Sequence, residues 1–437
     1  MQLSNRPGLI SLLLLSFLAS LVPASLQAQN PPPQNPPARK AQPLSGPWVL
    51  TNTSGQATGG NFTNLDSDLV VWQETEKKAE QKISWQTIDD IRRNTDFATF
   101  AYTDSTLGPF VLLPGGDRLR GESVALIENR GLAVQTFSVG VMNLPLDHWA
   151  GSVFKPPSEP DAMLTMIKSL RSGSEKPGDQ LILANGDRLS GTITTLVGES
   201  IGLQPIGAAK EISMKRAAIL AVSTDPRSIR NVAPESTSWE VSLGDGSRIT
   251  AQSLLLNAVE GESVVSITTR WGAGLNLPLS KIIRIRAIPV GAVDLQNKKP
   301  DAVQTVDYVG TTPQPRFGTN VRGGPIQIGS RWFDSGIGTQ SRTLIAYRLT
   351  GSEKRFTAWL GLDQSSGHLA NARATVLIDG KTAYDSGPML SGEPARHVNL
   401  DITGARLLIL STEFGEGGSV RDWVNWAEPT LLASPAR

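Results

Sequence analysis

Residues able to do chemistry are sparse in this 437-residue chain. It has no Cys and three His (His148, His368 and His397). That excludes disulfides, thiolate nucleophiles and thiolate metal sites, and leaves little for an imidazole triad or a zinc centre. The remaining material gathers in the last third, where Trp332, Trp359, Trp423 and Trp426 accompany Asp363, Glu413, Asp422 and Asn425. Aromatic faces beside planar polar groups suit the C–H surfaces and hydroxyls of a saccharide. Strand alternation puts Trp423 and Asn425 on one side and Asp422, Val424 and Trp426 on the other. Trp359, inside the apolar run FTAWLGL, reads as core, and for Trp426 packing competes strongly with contact. Trp332 and Trp423 sit nearer turns, where binding and packing stay open. Asp363 and Glu413, at strand ends, are hard oxygen donors of the kind that hold a structural Ca²⁺; loop acids or turn caps are the plainer account. A glycosidase pair drawn from Asp363, Glu413 and Asp422 would need two carboxyls about 5–10 Å apart across a cleft. Nothing in the spacing places them so, and no catalytic residue is assigned.

The elements that must position these groups are strands. The segments 343–349, 355–362, 372–380 and 405–414 are apolar runs separated by Gly or Asp-Gly turns, as in an antiparallel sandwich. Upstream, a weak repeat runs through residues 48–288. Two lines are clearest, LPGGDRLRGESVALIENRGLAVQTF (113–137) and LANGDRLSGTITTLVGESIGLQPI (183–206). Gly116-Asp117-Arg118-Leu119 in one matches Gly186-Asp187-Arg188-Leu189 in the other, and Gly246-Ser247-Arg248-Ile249 takes those places in a further copy. A degenerate copy spans 50–93. Each unit is a set of short strands around a glycine turn, with the length and patterning of a small five-stranded barrel. The Asp-Arg pairs read as turn chemistry with a solvated strand residue, because the other copies do not keep them. The phrase resembles, loosely, the Sm-like and SH3-like small-barrel repeats of exported bacterial proteins. Between copies, Met163, Met166, Ile167 and Leu170 fall at helical spacing and predict one short packed helix.

In the C-terminal third the sequence resembles the NPCBM family, the novel putative carbohydrate-binding module, also called carbohydrate-binding module family 51. Six phrases carry the likeness in the family's order: GIGTQS (336–341), YRLTG (347–351), FTAWLGLD (356–363), VLIDGKTAYDSG (376–387), VNLDITGARLLIL (398–410) and DWVNWAEPTLL (422–432). The likeness covers 308–432. It implies a jelly-roll β-sandwich similar to galactose-binding domains, with sugar bound by loops at one edge. Where the family commonly has His after its Gly-Ile-Gly-Thr, this chain has Gln340-Ser341; where it commonly has His beside the closing Asp, this chain has Trp423. With the aromatic and planar polar groups above, this makes Trp332, Gln340, Asp422, Trp423, Asn425 and Trp426 the candidate saccharide site.

Composition limits the rest. Lys and Arg number 41 against 40 Asp and Glu, so charge advertises no nucleic-acid partner. The 42 Gly and 29 Pro favour short strands and turns over long helices. Residues 9–22 are almost wholly apolar after Arg6, too short to span a membrane and right for an export signal ending near Ala24 or Ala28. QNPPPQNPPARKAQP (29–43) is a semi-extended tether. The fold class is all-β: tandem small β-barrel-like repeats, then a galactose-binding-like jelly-roll sandwich. Expected segments are a signal (1–28), a linker (29–46), β repeats (47–104, 105–156, 179–232, 236–292), a helical connector (157–178) and the binding sandwich (302–433). The function read from this is an exported, non-catalytic carbohydrate-binding protein, periplasmic or extracellular, whose partner is a polysaccharide or glycoconjugate. Its mature chain is expected to carry no transmembrane segment. An envelope scaffold that binds proteins without sugar affinity is the alternative, and an unrecognised glycoside hydrolase a second.

Overall fold

The computed structural model describes residues 45–77, 79–94, 108–127, 131–158, 162, 165–167, 169–170, 177–230, 234–306, 313–415 and 418–433. The expected export signal and most of the Pro-rich tether lie outside the described residues. Among these, no helix is long and apolar enough to cross a membrane.

Four five-stranded barrels precede a sandwich. Barrel 1 consists of Trp48–Asn52, Ala57–Leu65, Leu69–Glu74, Glu80–Ser84 and Ile88–Arg93. Barrel 2 consists of Phe110–Leu112, Arg118–Ile127, Gly131–Thr136, Gly140–Leu144 and Gly151–Val153. Barrel 3 is Asp179–Leu183, Arg188–Val197, Ser200–Pro205, Ile212–Lys215 and Ile219–Ser223; barrel 4 is Ser238–Leu243, Arg248–Val259, Glu262–Thr269, Gly274–Pro278 and Ile282–Ile288. In each, the first four strands pair in order, antiparallel, and the fifth returns to the first. A single 3-10 turn always delivers the chain to the fifth strand: Trp85–Thr87, Leu146–His148, Arg216–Ala218 and Leu279–Lys281.

The second strand explains how so few residues close a barrel. Its register against the third strand slips at the same place in every unit, at Phe62/Asn64, Ser123/Ala125, Ile193/Thr195 and Ala251/Ser253. Such a bulge bends the strand so that its two halves serve opposite walls. Gly121 and Gly191 sit just before the bulge, where a Cβ would lie 2.2 Å from the Gln135 carbonyl oxygen and 2.3 Å from that of Gln204. No side chain fits there without moving the neighbouring strand. The glycine turns behave as the sequence predicts, with φ of 97° at Gly116 and 89° at Gly186 and Gly246. In the connector, the described helical residues Met166, Ile167 and Leu170 pack on Phe110, Val153, Ile182 and Ala221. Met163 lies outside the described residues.

The barrels associate through their fifth strands, and not in chain order. Barrel 1 pairs with barrel 4 (Ile91 opposite Ile285), and barrel 2 with barrel 3 (Ser152 opposite Val222). Barrels 2 and 4 are then clasped by their glycine turns. Arg118 Nε donates to the Gly246 carbonyl (2.8 Å), and Arg248 Nη2 returns a bond to that of Gly116 (2.6 Å). Asp117 accepts from the Thr250 amide (2.8 Å) and hydroxyl (2.7 Å). This corrects the reading of Asp117-Arg118 as solvated turn chemistry. Asp117 is 2% exposed and holds two barrels together, whereas its sequence twin Asp187 is exposed. The four-letter motif could not separate them, because the difference lies in which barrel the turn meets.

The sandwich packs two sheets. One orders Arg316–Phe317, Gly336–Gln340, Trp423–Ala433, Glu353–Leu362 and Arg396–Asp401; Val293–Asp294 also pairs with Trp423–Ala433. The other orders Ala302–Thr305, Thr343–Arg348, Leu407–Phe414, Asn371–Ile378 and Lys381–Leu390. Tyr347, Phe356, Leu360, Val424 and Trp426, all fully buried, fill the space between them. A hairpin, Ile326–Ile328 with Arg331–Phe333, covers part of the outer face over Trp359 and Ala427.

A buried ionic cluster joins sandwich to barrels. Arg284 of barrel 4, 2% exposed, pairs with Asp90 of barrel 1 (2.8 Å), with both oxygens of Glu428 in the sandwich, and with Asp334 (3.5 Å). Arg331 reaches Asp90 (3.0 Å) while stacking on Trp359 at 3.9 Å, and the Trp359 indole donates to Asp89 (3.2 Å). Burial pushes Asp90 up, but the guanidinium groups of Arg331, Arg284 and Arg92 overcome it and hold the group well below the carboxylate range. Glu428 likewise resists burial through Arg284 and Arg286 and falls to about 2. Asp89 goes the other way, raised by burial and by the charge of Asp90.

Candidate functional site

The closing strand Trp423–Ala433 sorts the predicted residues by alternation. Val424 and Trp426 point between the sheets and are fully buried, with the Trp426 indole directed to Thr412 Oγ1 (3.4 Å). Trp426 therefore builds the fold and offers no face to a ligand, which corrects its candidacy. Trp423 and Asn425 point outward, where the segment 320–333 covers them. Asn425 is fully buried and donates to Asp363 Oδ2 (2.7 Å) and to the Gln327 carbonyl (3.2 Å). It positions neighbours and cannot itself touch a sugar.

Asp363 is the centre of that arrangement. It caps the 3-10 turn Gln364–Ser366, with Oδ1 accepting from the Ser365 amide (2.9 Å) and hydroxyl. Its Oδ2 accepts from Asn425 and from Asn320 Nδ2 (3.1 Å). Asn320 in turn accepts the Arg322 and Gly324 amides at 3.0 and 2.9 Å, fixing the turn that carries Arg322. Both oxygens of Asp363 are thus engaged by N–H and O–H donors of the fold itself. Glu413, at the other expected metal position, pairs with Arg342 Nε (3.0 Å), and burial raises its pKa against that partner. Among the described residues no group of three or more His, Cys, Asp or Glu that could hold a metal ion gathers.

The exposed edge lies around Trp423. Gln340, opposite it across the strand pair, accepts the Trp423 indole N–H (3.2 Å). The two positions where the sequence departs from the family's histidines therefore bond to each other. Asp422, 1% exposed, accepts from Ser341 Oγ (3.1 Å) and the Asn371 amide (3.2 Å). Burial raises its pKa to about 6, opposed by those hydrogen bonds. Trp332 is half-buried on the covering hairpin, in register with Gln327. Sequence reasoning missed two residues here: Arg322 lies 4.9 Å and Arg421 5.9 Å from the Trp423 ring centre. Both are exposed, while Trp423 is only 9% exposed. Their signal in sequence is the turn-flanked Arg322-Gly323-Gly324 and Arg421 beside Asp422, cations that the criterion of a bare ring face does not include.

Comparison with known proteins bears on this region. Residues 300–432 match the NPCBM/NEW2 domain. A protein of Renibacterium salmoninarum, provisionally named an endo-alpha-N-acetylgalactosaminidase, is 27% identical over 112 residues, which is 26% of this chain and 7% of that protein. The chain thus spans a small fraction of that curated relative. Among solved structures, a family 51 carbohydrate-binding module from Clostridium perfringens in complex with methyl-galactose is 24% identical with a TM-score of 0.30, covering 32% of this chain and 99% of that one. Tandem family 51 modules of a family 98 glycoside hydrolase from Streptococcus pneumoniae are 13% identical with a TM-score of 0.30, covering 61% and 91%. The match to the NPCBM/NEW2 domain falls on the C-terminal sandwich and leaves the four barrels outside it.

Proposed function

We propose that this is an exported, non-catalytic glycan-binding protein whose contact edge is the Trp423 corner of the sandwich. The match of residues 300–432 to the NPCBM domain carries the reading. Arg322, Gln340 and Arg421 supply reachable polar groups there, with Trp332 on the adjoining hairpin. Asp363, Asn320 and Asn425 hold the Arg322 turn in place from beneath. The barrels serve as the support to which this edge is fixed through the Arg284 cluster. Export rests on the apolar run 9–22 and the Pro-rich stretch that follows.

The test is retention of the chain from residue 29 onward on an immobilised glycan array, with and without chelator. Saturable binding to a related set of glycans, unchanged by chelator, is the expected result. A folded protein that binds none of them would overturn the reading and favour the envelope-scaffold alternative.

A further inference from the structure

An aromatic ring that stacks on a neutral sugar must present a bare face. Trp423 does not: it is 9% exposed, its indole N–H is taken by Gln340, and the guanidinium groups of Arg322 and Arg421 lie over it. The outward chemistry of this corner is cationic instead. Among the described residues neither arginine forms an ion pair with a carboxylate, although Arg342 nearby is matched by Glu413. Asp422, next to Arg421 in sequence, is buried, accepts from Ser341 and the Asn371 amide, and forms no ion pair with either arginine.

Two further observations point the same way. Arg322 is held by a dedicated chain of bonds, from Asn425 through Asp363 to Asn320 and so to its own backbone amide. Arg421 adopts φ +56°, a left-handed conformation that a side chain disfavours and glycine accepts readily. An arginine in a left-handed conformation, beside a second arginine that among the described residues has no carboxylate partner, places two guanidinium groups on one indole. Stacked guanidinium groups keep their N–H edges free and are suited to bidentate capture of a planar or tetrahedral anion.

From this we infer that the edge recognises an anionic saccharide, with Arg322 and Arg421 binding the carboxylate or sulfate of an acidic sugar. The inference rests on the glycan-binding reading and names its ligand class.

The experiment uses the chain from residue 29 onward and matched probes: lactose, 3′-sialyllactose and 6-sulfated lactose, with galactan against polygalacturonate. Acidic members are expected to bind at least about tenfold more tightly than their neutral partners, and to weaken between about 0.05 and 0.5 M salt. Arg421→Gly and Arg322→Gln should each lose about tenfold for acidic probes only. Arg421→Gly is the decisive variant, since relief of the φ +56° conformation leaves its unfolding midpoint equal to or above wild type. Equal binding of neutral and acidic partners, or acidic binding untouched by both substitutions, would overturn the inference and leave glycan binding standing. Loss of neutral and acidic binding alike in both variants would also overturn it. Absence of binding to every probe and to the array would overturn the glycan-binding reading itself.

Discussion

The Arg284 cluster makes the sandwich and the barrels a joint thermodynamic object, and Arg284→Met tests that directly. Arg284 is 2% exposed and touches acids from three parts of the fold: Asp90 from barrel 1, Glu428 from the closing sandwich strand, and Asp334 from the turn between Arg331–Phe333 and Gly336–Gln340. Replacing it with Met keeps much of the volume and removes the central cation. Asp90 retains Arg331 and Arg92, and Glu428 retains Arg286 at 3.7 Å, so the acids are weakened in partnership and not orphaned. The lowering of Glu428 from 4.5 to about 2 corresponds to about 3 kcal/mol of differential stabilisation of its charged form. Removing one partner of a buried pair costs about 3–5 kcal/mol where nothing else compensates. With Arg286 remaining, about 3 kcal/mol is the expected loss.

Urea unfolding followed by tryptophan fluorescence and by circular dichroism reads this out. Wild type should unfold with the two probes superimposed, and Arg284→Met with an earlier phase in which the sandwich separates from the barrels. Arg348→Met, which removes a half-exposed contact to Asp301 at 3.9 Å, serves as the control and should change stability by under about 0.5 kcal/mol. The sign with pH follows from the lowered carboxylates. Their contribution is complete above about 4.5 and is lost as pH falls from there toward 2, so the gap between wild type and Arg284→Met narrows over that window. An Arg284→Met protein that unfolds at the wild-type midpoint in one phase would refute the joint and the arithmetic together.

Other perturbations separate residues that look alike in sequence. Asp117→Ala, which strips two acceptors from a buried Thr250, should cost about 1–3 kcal/mol in the same urea titration, while Asp187→Ala at the exposed twin stays within about 0.5 kcal/mol. Asp422 has the opposite pH signature to Glu428: its pKa is raised, so folding is penalised progressively as pH rises from 3.8 through about 6, and the penalty persists above. Asp422→Asn keeps a hydrogen-bonding partner for Ser341 and Asn371, and should therefore gain about 1–3 kcal/mol over wild type at pH 8 and nothing at pH 3.5, measured as thermal midpoints across pH. Trp426→Ala opens the centre of the sandwich and should cost about 3–5 kcal/mol, seen as early loss of the sandwich phase.

What could be read from sequence was whatever depends on local pattern. The glycine turns, the short strands and the alternation that separates Trp423 and Asn425 from Val424 and Trp426 all follow from φ > 0 requirements and two-residue periodicity, which a single chain displays. Asp117 and Asp187 mark the limit. Both begin the same turn, and only the approach of barrel 4 to barrel 2 turns one into a buried inter-barrel acceptor. The order of association was equally hidden, since barrel 1 pairs with the last barrel through Ile91 and Ile285, far apart in the chain.

The Trp423 corner shows why composition misleads when sites are sought by residue type alone. Trp423 and Asp363 were chosen as a stacking face and a metal ligand, because those are the roles the isolated side chains can fill. In the fold each is turned to support: Trp423 becomes the platform under two guanidinium groups, and Asp363 the anchor of the turn bearing one of them. The same strand, Trp423–Ala433, contributes the platform at one end and Glu428, ligand of Arg284, five residues on. The Trp423 corner and the barrel joint are therefore attached to one element, with Trp426 packed between them in the core. A sandwich cut away from its barrels would leave Glu428 without the Arg284 it is built around, so binding measured on such a fragment would report a differently supported strand.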